Sequence, residues 1–230
     1  MKTKFADFIL SGGVLALILG MTLAVLDFGL SPWVHACVGD YYTIVNVLLF
    51  LLLYGLISGI VLQLMLKIRP LPTGEFSMES SVFTYWKLLS VMHLLAQGAL
   101  TPFTSVFTAP LTARLFGARI GSNVALAGTI GEPFMVTVED GVILGQGSLI
   151  AASVLADGKI IIGKVRIGAG ATIGVYSVAM GDIDIGEHAK LLGGAMILPG
   201  TRVPAGEVWR GNPARKWLGN PATAKVEAVE

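Results

Sequence analysis

The sequence predicts a parallel β-helix of six-residue repeats, preceded by an α-helical transmembrane hairpin and amphipathic interfacial helices. Three observations carry this reading. Aliphatic residues recur every six positions through the C-terminal half, two long uncharged apolar runs fill the N-terminal third, and only 13% of the chain is charged while 54% is hydrophobic. Soluble domains carry about 25% charged residues, so part of this chain has a solvent other than water.

The first element is a hairpin of two membrane spans within residues 1–70, at about 8–26 and 42–66. Neither Phe8 to Leu26 nor Tyr41 to Leu66 contains a charged residue, and about 20 apolar residues suffice to cross a bilayer core. A cleaved signal peptide would have a shorter apolar region, of about 7–15 residues, and an A-x-A-like site after it, which is lacking here. Lys2 and Lys4 precede the first span and Lys67 and Arg69 follow the second, whereas Asp27 to Asp40 has no lysine or arginine. Basic residues stay on the cytoplasmic side, so both termini and the repeat domain are expected in the cytoplasm, on the inner face of the cytoplasmic membrane. Trp33, Tyr41 and Tyr42 suit the aromatic belt on the far side.

Residues 71–117 form the second element. Lys87, Ser90, His93 and Gln97 fall on one helical stripe, with Val82, Phe83, Trp86, Leu89 and Met92 on another face and Pro102 at the end. This pattern suits a helix lying along the membrane interface. A third span is the alternative, and it would move the repeat domain to the outside.

The third element, 118–215, is the repeat itself. One run reads Ile120, Leu126, Val138, Leu144 and Ile150, with Glu132 in the intervening slot, and a second reads Ile167, Ile173, Ala179, Ile185, Leu191, Ile197 and Val203. Neither a helix nor a lone strand has period six; a triangular coil of three hexads does, with the aliphatic residue inward on each side and small residues at the corners. The runs are out of phase across Ile150 to Ile167, which predicts a short extruded loop around Ala156 to Ile160. Residues 216–230 are left as a tail.

Trp209-Arg210-Gly211-Asn212-Pro213-Ala214-Arg215 resembles the G-N-P-A-[RK] element that closes hexapeptide-repeat acyltransferases. The stretches Leu115–Gly121, Glu132-Pro133 with Val136–Val138, and Val165–Thr172 resemble a membrane-linked subgroup that includes the C-terminal region of poly-lysine synthetase-like proteins. The resemblance implies a left-handed β-helix, a homotrimer, and acetyl-CoA or another acyl-CoA bound along the last coils. It points to Gly193, Gly194, Arg210, Asn212, Arg215 and Lys216 as its contacts. The chain departs from the subgroup pattern at Phe134, Gly145 and Ser153, where Asp, Asn and His are expected; Glu132 is retained and Asp157 matches an acidic position.

Acyl transfer needs a base, oxyanion donors and a positioned acceptor. The candidate catalytic positions are Glu132, His93, Ser153 and Asp157, with Glu132 foremost. It interrupts the aliphatic register, so it is either a buried carboxylate with an altered proton affinity or an exposed bulge residue. His188 sits at a corner where a solvated side chain is the default. The function expected is transfer of an acyl group to a membrane-associated saccharide, lipid or amine-bearing acceptor, against the alternative of a non-catalytic scaffold that has lost the histidine base. A carbonic-anhydrase-like zinc centre needs three histidines and the repeat region has only His188, so no metal is expected. A net charge of +1 gives no reason to expect a nucleic-acid partner.

Overall fold

A computed structural model describes residues 5–219, with side chains from Phe8 onward. Lys2, Lys4 and residues 220–230 of the tail lie outside the described residues. The chain divides into two compact units. One comprises the residues up to Gly117 together with Glu132–Phe134 and Leu155–Ile161, and the other comprises Ala118–Gly131, Met135–Val154 and Ile162 onward.

In the first unit, helix α1 (Phe5–Ala24) runs through a π-helical turn (Val25–Leu30) into the short α2 (Ser31–Val38), and the chain returns as α3 (Tyr42–Ile68). Phe8–Ile68 is long and apolar enough to cross a membrane. α1 and α3 pack on each other, and α4 (Ser81–Leu100) packs on both. The inner face of α3 carries Gly55, Ser58, Gly59 and Leu62. Small residues four apart let neighbouring segments approach closely. A Cβ on Gly55 would lie 2.3 Å from Leu100 Cγ, and one on Gly59 would lie 2.6 Å from Leu115 Cγ. Ser80 caps α4 by accepting from the Phe83 N–H at 3.2 Å. The Tyr85 hydroxyl donates to the Met65 and Arg69 carbonyls at 3.1 and 2.8 Å, and so satisfies the end of α3.

The burial of α4 differs from the sequence expectation. Lys87, Ser90 and Gln97 are half-buried and His93 is buried, whereas Val91, Leu94 and Leu95 are exposed. Phe83, Leu89 and Met92 of the expected apolar face are buried as well, so neighbouring segments cover residues of both expected faces and the exposed side is a third one. A last short helix, α5 (Ala109–Leu115), brings the chain back to α3, where Gln63 Nε2 donates to the Leu115 carbonyl at 2.6 Å.

The second unit is a parallel β-helix with three faces. Ile120, Val138, Ile167, Ile185 and Val203 align on the first face. Leu126, Leu144, Ile173, Leu191 and Trp209 align on the second. Ile130, Ile150, Ala179 and Ile197 align on the third. Apart from the half-buried Trp209, these side chains are buried and form one continuous core. Two register details correct the sequence reading. Ile130, not Glu132, fills the third-face slot, and the next corner is enlarged by a 3₁₀ turn at Pro133–Met135. Val138 pairs with Ile167, 29 positions on instead of the usual 18, so the insertion has 11 residues rather than five. It is also a hairpin and not an irregular loop: Ser153–Ala156 and Lys159–Ile162 flank Asp157-Gly158, both at positive φ (48° and 73°). Asp-Gly is the preferred pair for such a turn. Gly74–Ser77 adds a third strand beside Lys159–Ile162.

Gly55→Val should overfill the α3 seam and destabilise the helical unit by about 1–3 kcal/mol. The double variant Gly55→Val/Leu100→Ala should recover most of that loss. Thermal unfolding in detergent, followed by circular dichroism, reads both.

Candidate functional site

The second and third faces meet at a corner where successive coils stack Gln146-Gly147, Val175-Tyr176, Gly193-Gly194 and Gly211-Asn212. Tyr176 N donates to the Gln146 carbonyl at 3.0 Å, Gly194 N to that of Val175 at 2.9 Å, and Met196 N to that of Gly211 at 2.9 Å. Side chains are excluded from parts of this column by the stacking itself. A Cβ on Gly174 would lie 2.6 Å from the Gly193 nitrogen, whereas one on Gly194, at φ 70°, would meet open space.

The last turn closes this corner. After Val208–Arg210 the chain passes Gly211 and a cis Asn212–Pro213 bond and returns as Arg215–Lys216, antiparallel to its predecessor. Ala214 is buried and its N–H donates to the Met196 carbonyl at 2.8 Å. The turn therefore supplies the hydrogen bonds that a further third-face strand would have made.

All six residues expected to hold a coenzyme lie at this corner or on the strands entering and leaving it, and all six are exposed. Their charges are not equivalent. Arg210 places its guanidinium 5.5 Å from the centre of the Trp217 ring. Arg215 donates from Nη1 to the Ala214 carbonyl at 3.1 Å. Lys216 is paired with Glu207 at 2.5 Å, so its charge is already matched. Glu207 also accepts from Trp209 Nε1 at 2.9 Å. Lys216 and then Trp209 hold this carboxyl below its ordinary value of 4.5.

The four candidate catalytic residues are distributed differently. Glu132 is only 5% exposed and accepts from the Trp86 indole N–H at 3.1 Å, which decides between the two environments its sequence position allowed. His93 is equally buried, edge-on to Phe116 with ring centres 4.8 Å apart. Trp86 and His93 are seven residues apart on α4 and therefore share a face, about 10 Å apart along its axis. Asp157 occupies the hairpin turn, where its left-handed backbone is the evident requirement. Ser153 is buried at the start of that hairpin, in the β-helical unit. His188 is exposed at a corner with φ 55°, beside Gly170. Sequence reasoning missed Trp86 as the partner of Glu132. The available signal was an indole two turns before His93, which had been placed on the apolar face.

No family model matches the chain. It is 29% identical over 104 residues to a delta-poly-L-ornithine synthetase of Acinetobacter baumannii, covering 45% of this chain and 8% of that one. It is 34% identical over 93 residues to gamma carbonic anhydrase 1 of Arabidopsis thaliana, covering 40% of this chain and 30% of that one. The match thus spans less than a third of either relative's length. Among solved structures, a galactoside acetyltransferase in complex with coenzyme A superposes with a TM-score of 0.49 at 16% identity, over 62% of this chain and 84% of that chain. These matches accompany three-faced coils whose ordinary repeat is 18 residues, one hexad to a face. The chain is a hexapeptide-repeat protein. Among the described residues of this hexapeptide-repeat chain, no three of His, Cys, Asp or Glu gather as metal ligands.

Because Glu207 binds its proton more weakly folded than unfolded, its contribution to closing the last turn is present above the unfolded value. That contribution is lost as pH falls through the depressed folded value. Proteolysis after Lys216 should therefore accelerate below about pH 4 in the parent protein, near the intrinsic carboxylate range. A Glu207→Gln variant should show the faster cleavage at neutral pH and little further change on acidification.

Proposed function

We propose that the chain is a membrane-anchored acyltransferase that moves an acetyl or other acyl group from an acyl-CoA to a membrane-held saccharide, lipid or amine-bearing acceptor. The observation that carries this reading is the closing corner. Gly193 and Gly194 leave a gap without side chains between the coil of Val175-Tyr176 and the last turn, and the exposed Arg210 and Arg215 stand beside it. A thioester arm is long, narrow and amide-bearing, so it suits a gap between side chains at such a corner. Its phosphates suit guanidinium donors, which bind them through charge-assisted hydrogen bonds.

In this reading Glu132 takes the proton from the acceptor's hydroxyl or amine as that atom attacks the thioester carbonyl carbon. The tetrahedral intermediate then collapses by breaking the C–S bond, and the coenzyme thiolate leaves and is protonated. The hairpin of α1 and α3 anchors the protein in the cytoplasmic membrane with the basic Lys67 and Arg69 on the cytoplasmic side, where acyl-CoA is available. Anchoring raises the effective concentration of a membrane-held acceptor. A homotrimer, as the family resemblance implies, would place each corner in a groove between subunits.

A non-catalytic scaffold is the second reading, favoured by one observation. Glu132 and His93 are both buried against aromatic side chains of the helical unit, as residues that merely hold segments together would be.

Calorimetric titration of the detergent-purified protein with acetyl-CoA should give saturable binding. Arg210→Ala/Arg215→Ala should weaken it at least about tenfold, since one lost charge-assisted contact costs about 1.5 kcal/mol. Glu132→Gln should leave that binding intact and cut acyl transfer by about 100-fold or more. Absence of binding at millimolar acetyl-CoA and free coenzyme A, from folded protein, would establish the scaffold instead.

A further inference from the structure

We propose that Leu88–Ala113 is a re-entrant membrane segment, which enters the bilayer from the cytoplasmic side and leaves on that same side. The inference rests on the reading of α1 and α3 as a membrane hairpin. It replaces both placements the sequence allowed, an interfacial helix and a third span.

The path of the chain along α3 carries the argument. α4 starts at the C-terminal end of α3, where the Tyr85 hydroxyl reaches the Met65 and Arg69 carbonyls. Its last residue, Leu100, lies against Gly55. From Arg69 back to Gly55, α3 spans about 21 Å at about 1.5 Å per residue, short of a hydrocarbon core about 30 Å thick. The chain then reverses. Leu115 lies against Gly59 and Gln63, nearer the end of α3, and Phe116 lies against His93, midway along α4. Gly117 next meets Phe134. Within the same compact unit, Glu132 is bound by Trp86 near the start of α4. Leu155–Ile161 likewise meets the strand between α3 and α4, through the Met78 N–H to the Gly158 carbonyl at 3.2 Å and Lys159 to Glu75 at 3.3 Å. The excursion therefore begins and ends at one level.

Its surface has the chemistry of a lipid contact. Leu88–Ala113 contains no Asp, Glu, Lys or Arg, whereas Lys87 and Arg114 flank it at both ends. Basic residues at both flanks are what a segment returning to the cytoplasmic side requires. The exposed side chains include Leu94 at 68%, Val106, Leu111 and, at the tip, Phe107 at 89%. Turned the other way are His93, buried, and Lys87, Ser90 and Gln97, half-buried.

The tip also meets the demand that lipid makes on backbone. Non-helical chain in hydrocarbon must have its N–H and C=O groups satisfied internally. Thr101 and Thr104 hydroxyls donate to the Gln97 and Leu100 carbonyls at 3.1 and 2.9 Å. Thr108 Oγ1 accepts from the Ser105 N–H at 2.7 Å and donates to the Phe103 carbonyl at 3.1 Å. Pro102 and Pro110 have no N–H to satisfy.

Single cysteines at Glu79, Phe107 and Glu187, in a Cys37→Ala background, test this in inside-out and right-side-out membrane vesicles. Glu79→Cys and Glu187→Cys should react with a membrane-impermeant maleimide from one and the same face. Phe107→Cys should react with it from neither face, yet react with a permeant maleimide. Impermeant labelling of Phe107→Cys from the Glu79 face would overturn the proposal in favour of an interfacial helix. Labelling of Glu187→Cys from the face opposite Glu79→Cys would overturn it in favour of a third span. The native Cys37, kept in a parallel sample, reports on the hairpin separately: labelling from the Glu79 face would remove the hairpin reading itself, and this proposal with it.

Discussion

Each coil of this β-helix must return to its starting position with an aliphatic side chain inward on every face. Column pairs such as Ile167 on Ile185 and Ile173 on Leu191 tolerate no shift, because a one-residue slip would turn the buried side chain to solvent. Extra residues can therefore leave only at corners. The two large departures from the repeat, the turn at Pro133–Met135 and the hairpin after Ala152, both leave the corner between the third and first faces. Glu132–Phe134 and Leu155–Ile161 from these departures belong to the compact unit of the helices. A rigid repeat thus confines its irregular segments, Glu132 among them, to one edge.

Much of this was legible in the sequence. Period six gave the aligned aliphatic residue of every face except Ile130, because burial in a coil depends on spacing and apolarity. Glu132 stood in its place. The pattern has no means of seeing that Leu126 and Ile130 are only four residues apart across a tight corner, with the length restored afterwards. The hairpin was underestimated for a related reason. Counting hexads assumed that the second run resumed two faces after Ile150, whereas it resumed one face later and left more chain to extrude. Asp157-Gly158 is the local signal of the hairpin turn in the sequence.

On the helical side, composition found the apolar runs but not how they meet. The Gly55-x-x-x-Gly59 spacing was readable as a close-contact seam, and it fixes where Leu100 and Leu115 can lie. The orientation of the faces of α4 was not readable, since an amphipathic stripe looks the same whether water or protein covers its polar side. At the closing corner the cationic residues that the motif singled out differ in surroundings: Lys216 has a carboxylate partner, whereas Arg210 faces the Trp217 ring and Arg215 bonds the neighbouring Ala214 carbonyl.

The antiparallel return at Arg215–Lys216 affects more than the corner it closes. A stack of parallel coils has an open end whose unpaired backbone can template another chain. Here that rim on the second face is occupied by a strand of two cations, and Gly211 and Ala214 occupy Met196 on the third. The terminator is built only from residues of the final turn and the coil beneath it. It is therefore a detachable module, and a solenoid of this kind can be lengthened or shortened by whole 18-residue coils below it while keeping the same stop.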